Sequence, residues 1–379
     1  MPGSTQDFLS AFRVHLVAVD VRSDPAATAP PASHLSALPE ARAAAPARVL
    51  AVIVTHEPDR EALRGLVESL VEVTASVLVV DNSESQAGCV SAQAVAAACG
   101  AEAICNPRNL GVAEAQNIGL RAARERGFTH VLLLDQDSVL EADAVPQLLA
   151  AFRALRDAGE PVAAVGAAFV DPRTGRAYPF VRLGRLRMRK SRPQPGAVTE
   201  CDLLISSGCL IALDALAVVG EMDSGLFIDY VDVEWCVRAR AAGFKVFGVA
   251  DARMHHTIGD NSVRVLGRQF DLHRPVRYYY FARNALLFAR KPYLDARWRL
   301  HLAYRTFGQL ALFGLLAKGR RERLPWLLLG LWHGLLGRSG RLGGPEGLAE
   351  LRPRRESAAA QRVEEADLPA VRSAPVVRD

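Results

Sequence analysis

The chain has 379 residues, 50% of them hydrophobic, so one large domain or two ordinary ones can bury a sizeable core. Its six cysteines form no C-x-x-C pair and sit among apolar neighbours, which argues against a disulfide framework and predicts reduced, buried thiols. The net charge of +5 is mild but unevenly spread: eight basic residues and no acid between Arg173 and Arg192, and thirteen from Arg268 to Arg323 against Asp271, Asp295 and Glu322. Such clusters suit phosphates, lipid head groups or nucleic acid.

Residues 1–47 read as a disordered lead-in, rich in Ala and Pro over 24–47. "VLAVIVT" (49–55) then predicts a buried strand. Residues 59–72 predict an amphipathic helix, with Asp59 as N-cap and Leu63, Leu66, Val67 and Leu70 on one face. "SVLVVDN" (76–82) is the next strand, 89–98 a helix, "AEAIC" (101–105) a short strand, and 113–126 a helix stopped by Gly127. "HVLLLDQD" (130–137) is the fourth strand. Strict alternation of this kind predicts an α/β fold, with a mostly parallel central sheet and helices on both faces. Beyond it the pattern loosens. A strand is expected over 162–170, a strand broken by Ser-Ser-Gly over 202–213, a helix over 231–242, and a strand from Lys245 to His256.

Ligands of open α/β sheets bind outside the carboxyl ends of the strands. Thr55 and His56, Asp81 and Asn82, Asn106 to Asn109, and Asp135 and Asp137 all fall there. Two carboxylates one residue apart raise each other's pKa unless a cation sits beside them, and a hard divalent cation accepts their oxygens and bridges to phosphate. The plainer reading is a helix cap at Asp137 or Ser138. No G-x-G-x-x-G follows the first strand and no G-x-x-x-x-G-K-[ST] occurs anywhere, so a dinucleotide site and a P-loop are set aside. The D-x-D follows the fourth strand rather than the first, which sets aside an aspartyl-phosphate phosphatase.

"VIVTHEPD", "VLVVDNSES", "NPRNLGVAEAQNIGL", "LLLDQDS", "SSGCLIALDALAVVGEMDSGLFIDYVDVEWCVRARAAGFKV" and "MHHTIGD" occur in one order over residues 48–292. Together they resemble the family 2 glycosyltransferases. "DQDS", "LFIDYVDVEWC" and "HTIGD" are most similar to bacterial rhamnosyltransferases of cell-surface polysaccharide synthesis. The resemblance implies a GT-A nucleotide-diphosphosugar transferase fold. It implies donor contacts from Thr55, Asp81 and Asp135, a divalent cation (Mg²⁺ or Mn²⁺) on Asp137 and His256, and Asp232 as catalytic base. The family's usual E-D pair reads Val231–Asp232 here, so the first acid is missing. Asp229 is equally read as a cap of the helix that carries Asp232, and Glu234 points about 200° away and reads as structural. Arg283–Asn284 matches a family pattern and is also read as an interfacial pair.

The activity implied is inverting transfer of L-rhamnose from dTDP-L-rhamnose to a glycan or lipid-linked acceptor. The rivals are transfer of galactofuranose or a hexose, and a catalytically idle scaffold of polysaccharide assembly. Intact Asp81, Asp137, Asp232 and His256 argue against idleness. No recognised module supports a nucleic-acid partner. The last expected regions are a helical region over 293–343 and a disordered tail over 344–379. "LPWLLLGLWHGLL" (324–336) is too short for a membrane span, which needs about 20 residues. With its arginine flanks it reads as a helix lying on the membrane surface or as a hairpin covering the domain. No signal peptide is visible, so the expected location is cytoplasmic, peripheral on the inner face of the cell membrane.

Overall fold

The computed structural model describes residues 47–171, 175–184, 188–255, 261–265, 268–272, 274–311 and 320–343. The expected lead-in, apart from Ala47, and the expected tail lie outside the described residues.

The first half alternates as its periodicity predicts: β1 (Val49–Thr55), α1 (Arg60–Val71), β2 (Ser76–Asp81), α2 (Gln86–Ala98), β3 (Glu102–Cys105), α3 (Val112–Glu125) and β4 (His130–Asp135). The Asp59 carboxylate accepts from the backbone N–H groups of Glu61 and Ala62, and Leu63, Leu66, Val67 and Leu70 are the buried face of α1. Each cap of this kind is worth about 1 kcal/mol. After β4 come β5 (Val139–Leu140), α4 (Ala144–Asp157), β6 (Val162–Asp171), β7 (Arg176–Ala177), β8 (Phe180–Leu183), β9 (Met188–Ser191), β10 (Val198–Cys201) and β11 (Cys209–Ala212). Then follow α5 (Leu213–Val219), α6 (Val231–Ala241), β12 (Lys245–His255), the hairpin of β13 (Asn261–Val265) and β14 (Arg268–Leu272), α7 (Pro275–Ala289), α8 (Ala296–Gln309) and α9 (Arg320–Leu335).

The main sheet runs β10-β12-β6-β11-β4-β1-β2-β3, and four of the seven pairings along that path are parallel. From β1 the order goes to β2 and β3 on one side and to β4 on the other. Right-handed crossovers therefore put α1 and α2 on one face and α3 on the opposite face. That reversal opens a crevice at the strand ends, where α/β sheets bind ligands. The expected strand over 202–213 shrinks to β11, which lies antiparallel between β4 and β6. Hydrophobic period is blind to strand direction, so this insertion was not legible.

The cysteine expectation needs correcting. Cys89 in the first turn of α2 is bonded to Cys105 at the end of β3, with Cα atoms 5.7 Å apart. The helix lies over β3, which brings the two thiols together across 16 residues of sequence. Cys201, Cys209 and Cys236 are free and buried as expected, and burial pushes the Cys236 thiol up to about 12.

Several members of the basic clusters are paired within the molecule. Arg182 and Arg240 share Glu200 and Asp202, Lys291 pairs with Asp223, and Arg297 pairs with Asp295. Arg290 donates to the carbonyls of Gly334 and Leu335, where α9 packs on α7. At Gly330 a β-carbon would stand 2.3 Å from the Tyr279 carbonyl oxygen, so only glycine allows so close an approach of the two helices. Among the described residues no helix is long and apolar enough to cross a membrane.

Candidate active site

Parallel register sets the first part of the site. Thr55 pairs with Asp81 across β1 and β2, and Val54 pairs with Asp135 across β1 and β4. Three strand ends therefore stop at one level. The Thr55 hydroxyl donates to Asp81 Oδ1 at 2.7 Å. Ser83 adds its hydroxyl to the same oxygen at 2.8 Å and its backbone N–H to Oδ2 at 3.1 Å. Asp81 is fully buried, and these donors compensate a carboxylate that would otherwise be costly there.

Gln136, between the two carboxylates of "DQDS", reaches back to β1. Its Oε1 accepts from the His56 N–H at 2.7 Å and its Nε2 donates to the His56 carbonyl at 3.3 Å. Asn82 ties the rim to the next loop. It donates to the Gly111 carbonyl at 2.9 Å and accepts from Asn106 Nδ2 at 2.7 Å. Glu57 accepts from the hydroxyl and N–H of Ser85 and from the N–H of Glu84, and those bonds hold its carboxyl below the usual range. The roles of Gln136, Glu57 and Asn82 as loop ties were missed in the sequence. Only the recurrence of amide and acid residues just past strand ends hinted at them.

The second part of the site comes from the 202–232 segment. The Ser207 hydroxyl accepts from the Asp135 N–H at 3.0 Å and pairs with the Ser138 hydroxyl at 2.6 Å. Asp232, in the first turn of α6, accepts from the N–H of Val233 at 2.8 Å and from the N–H of Ser206. Burial pushes its carboxyl up to about 6, and the negative charges of Asp135 and Asp229 push in the same direction. The structure thus brings Asp232 to Asp135, 97 positions away in the sequence. A carboxyl held near 6 is suited to accept a proton at neutral pH.

Asp229, the other acid of this segment, is an ion-pair partner of Arg277 and its side chain is buried. Glu234 is structural, as its direction on the helix predicted: Arg238 grips it through Nε at 2.8 Å and Nη2 at 3.0 Å, and the Tyr293 hydroxyl donates to it. Tyr280 and Phe288 are buried packing residues, with Tyr280 stacked on Phe227. Asp137 is exposed at the mouth. His256 lies outside the described residues, one position past the end of β12. Among the described residues no group of three or more His, Cys, Asp or Glu side chains is gathered as a metal site. The oxygen donors Asp135 and Asp137 nevertheless suit a hard cation, which takes one or two carboxylates and completes its shell with phosphate oxygens and water.

Residues 46–270 match the model of glycosyltransferase like family 2. The chain is 35% identical over 245 residues, 64% of its length and 80% of the relative's, to the dTDP-rhamnosyl transferase RfbF of Shigella flexneri. Among solved structures, S. aureus TarS residues 1–349 in complex with UDP-GlcNAc aligns at 15% identity and TM-score 0.48, over 77% of this chain and 81% of that one. The mannosyltransferase PcManGT of Pyrobaculum calidifontis, in complex with GDP-Man and Mn²⁺, aligns at 13% identity and TM-score 0.45, over 84% of this chain and 81% of that one.

Proposed function

The chain belongs to glycosyltransferase like family 2 and is a glycosyltransferase; from that premise we propose that it is an inverting, metal-dependent enzyme moving L-rhamnose from dTDP-L-rhamnose to a lipid-linked or polysaccharide acceptor. The observation that carries the mechanism is the meeting of Asp232 with Asp135 beside the Thr55–Asp81 pair. The sugar is argued from the relative's activity. Residues 48–292 form the transferase domain in this reading, followed by a helical region over 293–343.

Thr55 and Asp81 hold the donor nucleoside, and Asp135 lies by its ribose. Asp232 takes the proton of the acceptor hydroxyl as that oxygen bonds to the anomeric carbon. The bond from that carbon to the diphosphate oxygen breaks on the opposite face, which inverts the centre. A divalent cation, Mg²⁺ or Mn²⁺, held by Asp137 together with His256 would neutralise the departing diphosphate. The reading is tested by offering the enzyme a panel of nucleotide sugars with its acceptor and scoring released nucleoside diphosphate. dTDP-L-rhamnose is expected to be turned over fastest. Preference for a hexose or galactofuranose donor overturns the sugar, and failure to bind any nucleotide sugar overturns the enzyme reading in favour of a scaffold.

Asp137→Ala is expected to remove the metal requirement together with the affinity that the metal supplies. Stabilisation of diphosphate charge by such an ion is worth several kcal/mol, so roughly a hundredfold loss of dTDP affinity in Mg²⁺ or Mn²⁺ is anticipated. Titration calorimetry with and without metal measures it. Unchanged affinity and unchanged metal dependence would remove Asp137 from the cation site.

One feature supports work at a membrane surface. On α9 and just past it, Leu328, Trp332, Leu335 and Leu336 are 51%, 57%, 59% and 50% exposed. Their spacing puts them on one stripe, while His333 of the same helix turns the other way to Tyr279 on α7. The helix therefore covers the domain with one face and leaves an apolar face outward, a combination suited to the interface of the inner membrane leaflet. The full chain is expected to float with vesicles containing anionic lipid, and the Leu328→Glu/Trp332→Glu double variant to stay behind. Equal flotation of the two, or none by the full chain, overturns this.

A further inference from the structure

The segment that delivers Asp232 has an unusual backbone. Among the described residues four non-glycine positions have positive φ, and three of them, Phe227 at 65°, Asp229 at 65° and Tyr230 at 67°, lie in the five residues before Val231. Left-handed conformation costs a side-chain-bearing residue roughly 1–2 kcal/mol. Such a shape persists only when its surroundings impose it.

The imposing group is on α7. Asn284 is fully buried, and the two N–H groups of its Nδ2 are shared among three carbonyls, those of Leu226 at 2.9 Å, Ile228 at 2.7 Å and Asp229 at 3.0 Å. One amide group thus spans the whole strained stretch. Its Oδ1 accepts from Arg283 Nε at 2.9 Å. Arg283, also buried, donates through Nη2 to the carbonyls of Leu226 at 2.9 Å and Gly225 at 3.3 Å. Arg277 of the same helix pairs with Asp229, and Tyr280 stacks on Phe227. Docking α7 alone needs only apolar contact, and a buried Arg–Asn pair is costly unless its hydrogen bonds are made. Here all of Asn284's donated bonds and both Nη2 bonds of Arg283 go to the main chain of this loop, while Arg283 Nη1 donates to the Gly340 carbonyl beside it.

We propose that Asn284, held in orientation by Arg283, is a positioning residue: it fixes residues 226–230 in their left-handed path and so sets the Asp232 carboxylate against Asp135 at the rim. The proposal rests on Asp232 being the base. Charged and titratable groups facing Asp232 are Asp135 from β4, Asp229 from the loop, and the thiols of Cys209 on β11 and Cys236 on α6. Asn284 is uncharged, so it acts on Asp232 through geometry alone.

The test compares Asn284→Ala and Asn284→Ser, the latter keeping one donor, with the parent enzyme and Asp232→Asn. Asn284→Ala is expected to lower kcat at least about tenfold, with Asn284→Ser in between. Affinity for dTDP stays within about twofold, because the nucleoside groups stand on other elements. The loss thus falls on kcat and not on nucleotide affinity. A merely structural Asn284 would lower thermal stability while leaving kcat per folded molecule in place. That result in either Asn284 variant overturns the proposal, and the serine variant serves if the alanine variant does not fold. Loss of turnover in Asp232→Asn beside normal Asn284 variants overturns the positioning role alone. Retained turnover in Asp232→Asn overturns the base, and the positioning role with it.

Discussion

Asp232→Asn is expected to cut turnover by roughly 10²–10⁴, the contribution of a positioned general base, or about 2.7 to 5.4 kcal/mol of barrier at 1.36 kcal/mol per decade. Asparagine keeps the volume and can still accept from the N–H groups of Val233 and Ser206. It cannot take a proton at neutral pH. Donor affinity should barely change, because the nucleoside groups are on β1, β2 and β4. The same substitution has a stability signature of opposite sign. The Asp232 carboxyl is raised from 3.8 to about 6 on folding. Between those values the folded state holds a proton the unfolded state has lost, so stability falls as pH rises through that window. Above about pH 6 the cost of the buried charge is fully present, about 1–3 kcal/mol for a raised group at a partly open rim. The variant should therefore melt a few degrees higher than the parent at pH 7.5, with no such gain below pH 4. A residue that served only as a helix cap would show neither effect, since Asn caps as well as Asp. Single-turnover kinetics and calorimetric melting at the two pH values decide it. More than about a tenth of parental turnover would exclude Asp232 as the base.

Arg238→Met should destabilise the fold by about 3–5 kcal/mol, the usual cost of stranding one member of a buried ion pair. Glu234 is 1% exposed, and with Arg238 gone its remaining partner is the Tyr293 hydroxyl. Methionine retains much of the apolar stem, so the loss reports the charge rather than a cavity. Arg238 also caps the end of α5 through the Val219 carbonyl and holds the Glu221 carbonyl at 2.7 Å, which ties α6 to the preceding turn. Turnover per folded molecule should hold, because the pair turns away from Asp232. Denaturant unfolding at pH 8 measures it. A loss below about 1 kcal/mol at pH 8 would mean that water reaches Glu234 after all.

The linear sequence by itself determined the strand–helix alternation from β1 to β4, the cap at Asp59, the buried face of α1 and the level at which Thr55, Asp81 and Asp135 end their strands. Those features follow from short-range period and from parallel register, which a run of β-branched residues and its flanking turns encode locally. The direction of Glu234 on α6 was legible for the same reason, since helical geometry alone separates it from Asp232. The tertiary structure decided the rest. β11 enters the sheet antiparallel, because apolar period says nothing of direction. Cys89 meets Cys105 only once α2 lies over β3. Gln136 reads as a spacer between two acids until β4 stands beside β1 and its amide finds His56. Arg283 and Asn284, legible as a family pattern or an interfacial pair but not by their partners, find carbonyls in a loop 55 to 58 residues away, and Arg283 a further one at Gly340. Which partner a buried polar group takes depends on long-range packing, and no local period in the chain records it.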